Sequence, residues 1–263
     1  MEYVALGSIV FVSIVLPIII SICVIWKDRK NIFRDVICFI TGILVYIVTQ
    51  WGLFEHGLQG LTNYSKESMV MMLRFMTNHY FIYMILVSLV CSVLLFGVSF
   101  LLAKFLVKGN YTLKNIFLYG LGYCGCEATL LVGIKSFRTI FEFIKGTEGA
   151  LSTSVPELFL SAYERVLIGM IKIMLIFVLA YFIKKGKGMM GFLISLFGGI
   201  LLNFLPAFFI AFSETQFYEI YSRNVALTIV YVLLTAAAVT AFVVMSNLAP
   251  AFLEDNCTKK NSK

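Results

Sequence analysis

The chain has 263 residues, of which 60% are hydrophobic and 13% charged, and its mean hydropathy is +0.95. A water-soluble domain of this length needs far more polar surface to cover itself, so the composition excludes one and points to a lipid-facing exterior. The net charge of +7 does not point to nucleic acid: Lys and Arg sit almost entirely between apolar runs, where membrane topology signals and headgroup contacts lie, and not in a basic groove interleaved with aromatics.

In chain order, apolar stretches long enough to span a bilayer, about 20 residues each, lie near 4–26, 36–54, 80–103, 115–135, 165–183, 189–212 and 225–247. They predict an all-α, polytopic transmembrane bundle of about seven spans. Residues 1–247 form one membrane domain and 248–263 a polar cytoplasmic tail. The first run has no basic region before it, with Glu2 the only early charge, and is too long for a signal's apolar core; it reads as a retained first span. Gly, Ser and Thr recur inside several spans, as close helix packing in lipid requires. Gly198, Gly199 and Pro206 make the sixth span a candidate for a kink. Of the cysteines, Cys23, Cys38, Cys91, Cys124 and Cys126 fall in apolar runs and Cys257 in the tail. That is the usage of small buried side chains, not of a disulfide framework.

Charge sets the expected orientation. The first connection carries Lys27, Arg29, Lys30 and Arg34, the third Lys104, Lys108 and Lys114, the fifth Lys184, Lys185 and Lys187, and the tail Lys259, Lys260 and Lys263. The other connections hold most of the acids, among them Glu55, Glu67, Glu148 and Glu219. The positive-inside rule then places the N-terminus outside and the C-terminus in the cytoplasm. The fourth connection runs against the trend with Lys135, Arg138, Lys145 and Arg165. Within it Phe137, Ile140, Phe141 and Ile144 fall at i, i+3, i+4 and i+7, which fits either a short helix in the outer interface or a loop covering the bundle. Ser152 to Glu157 then reads as a helix start, with Pro156 in the first turn and an acid at the positive dipole end. The fifth helix thus carries Glu164 and Arg165 inward.

Ionisable side chains deep in a span are expensive, at about 2.5–3.5 kcal/mol for a Lys or Asp at mid-helix, so they are usually paired or functional. Two stand out. Glu127 lies thirteen positions after Lys114, about 20 Å from the cytoplasmic side at 1.5 Å per residue. Lys172 lies twelve positions before Lys184 on a helix running the other way, about 18 Å from the same side. The matched depth predicts a buried ion pair between Glu127 and Lys172. The competing readings are a Lys172 that snorkels to the headgroups and a protonated Glu127 bonded to a carbonyl. Metal ligands are scarce. His56 and His79, the two histidines, read as interfacial side chains, and Cys124 and Cys126 point away from each other on a helix, so no metal site is expected. No nucleophile stands beside a base, and no glycine loop cradles a phosphate.

The stretch Gly120-Leu121-Gly122-Tyr123-Cys124-Gly125-Cys126-Glu127-Ala128 resembles the Gly-x-Gly-His-Gly-Gly-x-Glu-Ala signature of the YhfC family. These are multi-pass bacterial membrane proteins classed as intramembrane metalloproteases and distantly akin to CAAX-processing proteases. Glu164-Arg165 resembles that family's Glu-Arg pair, and the resemblance makes Glu127 and Glu164 the family-equivalent catalytic positions. The family's Glu-Glu and Arg motif falls near Leu95, Phe96 and Ser99, where no charge stands. Its signature histidine is Tyr123 here, a second falls at or near Lys172, and a later one falls near Gly199, with Asn203 at the position of an acidic neighbour. Metal hydrolysis needs ligands for the ion and a carboxylate to activate its water.

These departures imply a YhfC-like protein that lacks peptidase activity, has no cofactor, and binds membrane peptides or partner proteins, with Lys172 as counter-charge to Glu127. Two alternatives stay open. One is an active, divergent intramembrane protease, for which zinc is required. The other is a small-molecule transporter or channel component built on Glu127, Lys172, Asn203 and the broken sixth span. Tyr123, Arg165 and Asn203 are the further polar candidates. The bilayer is the expected partner, and no nucleic acid is.

Overall fold

The computed structural model describes residues 2–27, 31–56, 66–106, 112–145, 155–214 and 223–258. Among these residues 97% are helical and there is no strand. The elements are α1 (Glu2–Val10), a π-helical turn (Phe11–Val15), α2 (Leu16–Lys27), α3 (Ile32–Tyr46), a π-helical segment (Ile47–His56), α4 (Lys66–Asn78) and α5 (Tyr80–Leu106). After these come α6 (Leu113–Ala128), a π-helical turn (Thr129–Gly133), α7 (Ile134–Ile144), α8 (Val155–Lys184), α9 (Gly188–Glu214) and α10 (Arg223–Thr258).

Among the described residues, seven helical stretches are long and apolar enough to cross a bilayer: Leu6–Trp26, Ile32–Gln50, Tyr80–Lys104, Leu113–Glu142, Phe159–Lys184, Gly188–Phe209 and Val225–Pro250. Their outward faces carry Ile18, Ile22, Val232 and Phe242, all exposed. Contiguous apolar surface of this kind belongs against lipid, and the protein is a multi-pass membrane protein. Several hydroxyls inside the spans are satisfied by their own helices: Ser21 donates to the Pro17 carbonyl, Thr49 to Val45, Thr235 to Tyr231 and Thr240 to Ala236. That back-bonding lets a polar residue sit in hydrocarbon without a partner helix.

The chain divides into two compact units. One comprises Met1–Leu44, Tyr111–Ile173 and Ala241–Lys263, and the other Val45–Asn110 and Met174–Thr240.

In the first unit, Pro17 explains the π-helical turn before it. A proline lacks the N–H that would bond the carbonyl four residues back, and its ring crowds that carbonyl. The freed Ser13 carbonyl lies 3.0 Å from the Thr129 hydroxyl and shares its single proton with the Gly125 carbonyl at 2.7 Å. Thr129 opens the second π-helical turn, and the two turns pack on each other, with Gly133 against Ser13 and Ile14. α7 settles one open choice from the sequence, since the segment around 136–146 is helical over Ile134–Ile144. Phe137, Phe141 and Ile144 face outward while Ser136 is buried.

In the second unit, α9 is continuous α-helix through Pro206. The paired glycines of that helix serve packing. A Cβ at Gly198 would press into the Leu175 side chain, and one at Gly199 would overlap the Phe96 ring. Ser195, fully buried, donates to the Leu175 carbonyl at 2.8 Å. The second connection contains the helix α4, which apolar periodicity alone did not reveal, and His79 joins it to α5 through backbone bonds to Phe75 and from Tyr83. α8 begins at Val155 with Pro156 in its first turn. α10 continues to Thr258, so the segment read as a polar tail starts as helix. Arg29, Lys30, Lys108, Glu148, Ser152, Glu219, Lys259, Lys260 and Lys263 lie outside the described residues.

Candidate functional site

α6 is the axis of the first unit, and its glycines explain why. A Cβ on Gly122 would overlap the Phe39 carbonyl of α3, and across the same seam a Cβ on Gly42 would overlap the Tyr119 carbonyl. Gly120 faces Ile173 of α8, and a Cβ there would lie 3.1 Å from its side chain. Gly125 faces Pro17 of α2, where a Cβ would lie 2.8 Å from the ring. Three glycines within six residues thus admit three different helices to the same stretch of backbone. This is how membrane helices gain contact when both sides are equally apolar.

That packing surrounds Glu127. The Lys172 ammonium on α8 donates to both carboxylate oxygens, Oε1 and Oε2, each at 2.6 Å. The side chains are 9% and 12% exposed, so the charges meet largely away from any surface. Tyr123, one turn before Glu127 and buried, presents its ring face to the same ammonium at 5.9 Å. This adds a cation–π contribution to the ion pair. Cys124 directs its thiol to the Gly169 carbonyl at 3.7 Å, stitching α6 to α8 one turn from the pair. Glu164 and Arg165 form their own ion pair at 3.2 Å. They lie about 12 Å along α8 from Lys172 at 1.5 Å per residue.

A second buried charge cluster lies at the other end of α6. Asp35, on the first turn of α3, is 2% exposed and pairs with Lys114 at 2.5 Å. Asn115 donates to its Oδ1 at 2.8 Å, while Lys114 also donates to the Ile25 carbonyl at 3.3 Å. Thr112 and Asn115 cap the helix reciprocally, side chain to backbone in both directions. Sequence reasoning took Lys114 only as a topology signal and passed over Asp35. The available clue was an acid placed one residue after Arg34 at the mouth of a span.

Residues 12–211 match the family model described as YhfC intramembrane metalloprotease. The chain belongs to the YhfC family. No curated protein and no solved structure matches it. In this YhfC chain the family's nonet coincides with the glycine-rich stretch of α6, so its glycines have a packing role that the geometry explains residue by residue.

The metal implied by the family description can be tested against the donors present. Zinc takes three or four N, S or O ligands at about 2.0–2.3 Å. Around Glu127 stand an ammonium, which has no lone pair to give while charged, a phenol ring presented by its face, and a thiol turned to a carbonyl. Cys126 is two residues from Cys124, on a different side of the helix. Among the described residues no group of three or more His, Cys, Asp and Glu side chains could hold a metal ion. The donor set at Glu127 does not fit zinc. Asn203 lies in the second unit, where its amide donates to the Ser92 hydroxyl at 3.5 Å. His79 is exposed and packs on Phe75 with ring centroids 5.4 Å apart. The His56 side chain lies outside the described residues.

Proposed function

We propose that this YhfC-family protein is a non-hydrolytic member that binds membrane peptides or membrane partner proteins, with an ammonium–carboxylate pair standing where related proteins hold an ion. One observation carries the reading: Lys172 engages both oxygens of Glu127 at 2.6 Å. A carboxylate acting as general base needs a free lone pair within reach of water or substrate. Here the ammonium donates to both oxygens and cancels the negative charge that a general base would offer. Glu164, the other family-equivalent carboxylate, is held by Arg165. The family's substrates, segments of membrane proteins, supply the class of ligand. The excess of Lys and Arg in the odd-numbered connections favours an N-terminus outside and a C-terminus in the cytoplasm.

The test combines metal analysis with a peptidase assay on the detergent-purified full chain. The expected result is no stoichiometric zinc, no cleavage of a labelled transmembrane peptide, and photo-crosslinking of that peptide to the protein. Zinc that survives a chelator wash, or cleavage abolished by Glu127→Gln, would establish the divergent protease instead. Solute uptake into proteoliposomes that is lost in Glu127→Gln, without proteolysis, would establish a transporter.

A further inference from the structure

At one end of the second unit three helix ends meet among lysines. The spans Tyr80–Lys104 and Phe159–Lys184 each stop on one, and Gly188–Phe209 starts directly after Lys187. A tight turn joins the last two: Gly186 takes a φ of 74°, and the Lys187 N–H bonds back to the Phe182 carbonyl at 2.8 Å. Phe100 of α5 closes the third side. Its ring packs on Phe192 with centroids 5.7 Å apart, and a Cβ at Gly188 would lie 3.1 Å from it. The Lys104 ammonium stands 5.9 Å from the centre of the same ring, and that of Lys185 4.8 Å from the centre of Tyr181. Lys104, Lys184, Lys185 and Lys187 are all exposed.

This cluster has no acid of its own. Residues 80–110 and 174–213 contain no Asp or Glu, and the first turn of α9 offers none to its positive dipole end. The acids in the second unit's sequence are Glu55 and Glu67, before α5, and Glu214 and Glu219, at and after the end of α9. Along the chain both places are a helix length from the lysines. Lys104 comes 24 residues after Tyr80, about 36 Å at 1.5 Å per residue, which is several Debye lengths at physiological salt. The first unit meets the same problem internally, with Lys114 paired to the buried Asp35. Like charges gathered at the ends of spans, with no internal counter-ion, call for an anion from the headgroup layer. Exposed Leu101, Met190 and Leu193 on the same helix ends offer an apolar wall for acyl chains.

We propose that this lysine cluster is a binding site for an anionic phospholipid, its headgroup held by the ammonium groups of Lys104, Lys185 and Lys187 and its acyl chains lying along α5 and α9. The phosphate oxygens accept charge-assisted hydrogen bonds from the ammonium groups. Selection is by net headgroup charge, because a zwitterionic lipid carries its own cation and leaves the charge of the cluster uncancelled. The bound lipid ties together the ends of α5, α8 and α9. The site is separate from the Glu127–Lys172 pair and does not depend on whether any hydrolysis occurs.

The experiment is native mass spectrometry of the delipidated full chain, titrated with dioleoyl phosphatidylglycerol and, in parallel, with dioleoyl phosphatidylcholine, which has the same acyl chains. Phosphatidylglycerol is expected to survive activation that strips phosphatidylcholine. Replacing both Lys104→Gln and Lys187→Gln should lower its occupancy roughly 25-fold, about fivefold for each lysine at an anionic surface. The pair Lys104→Arg and Lys187→Arg keeps both charges and should retain the lipid. Lys145→Gln removes an exposed charge just after α7 and should change nothing. Equal retention of the two lipids by the wild-type chain overturns the proposal, whatever the glutamine variants do to folding. So does wild-type retention in the glutamine pair, or a loss in Lys145→Gln as large as in that pair, since net charge alone would then explain the binding.

Discussion

Removing the Lys172 ammonium should cost this protein more than removing both charges of its pair. The Lys172→Met substitution keeps an unbranched apolar stem but leaves the Glu127 carboxylate 12% exposed and without its cation. Breaking a buried pair in that way costs about 3–5 kcal/mol. For a chain of this size, that lowers the unfolding midpoint by roughly 10 °C. Glu127→Gln retains one carbonyl acceptor for the ammonium, so its cost should be lower, about 2–3 kcal/mol. The double variant carries no buried charge and should lose only about 1–2 kcal/mol. The summed single losses then exceed the double by about 3 kcal/mol or more, a coupling far above the few tenths seen for independent sites. Unfolding of the four proteins in mixed micelles, followed by helical signal, measures it. If the losses add to within about 0.5 kcal/mol, the two groups do not neutralise each other and the reading of Glu127 as a masked carboxylate fails.

Two further perturbations test the packing that holds the pair. Thr129→Val removes the hydroxyl shared by the Ser13 and Gly125 carbonyls and should cost about 1–2 kcal/mol. In a Pro17→Ala background, where residue 17 regains an N–H for the Ser13 carbonyl, the same substitution should cost less in the same unfolding assay, and an unchanged cost would mean that the hydroxyl serves Gly125 alone. Gly42→Ala and Gly122→Ala each drive a Cβ into a backbone carbonyl of the neighbouring helix, whereas Gly97→Ala meets nothing within 4 Å. The first two should abolish monodisperse elution from a sizing column and the third should leave it unchanged. Equal behaviour of all three would mean that α3 and α6 do not approach through their glycines.

The YhfC signature takes on a physical meaning in this chain. Its glycines bring three helices against α6, and its glutamate then sits in a place where a bare carboxylate is costly. A relative with histidines at position 123 and at or near position 172 would surround that carboxylate with lone pairs. Here a phenol ring face and an ammonium surround it instead, and the electrostatic demand of the buried acid is met by a fixed cation.

The number of spans was legible in the sequence because hydrocarbon imposes a length and a composition on every crossing, whatever the helices pack against. So was the common depth of Glu127 and Lys172, since helical rise converts residue count directly into height. Rotation about each helix axis was not legible, because packing against neighbours decides it. Only the tertiary structure could show that Gly198 and Gly199 admit Leu175 and Phe96, that Asp35 is buried against Lys114, and that Thr129 replaces the bond denied by Pro17. The apolar cleft between the first, fourth and fifth spans belongs to the same class. It is made of residues far apart in the chain, and nothing local in any one helix marks the space that three of them leave between them.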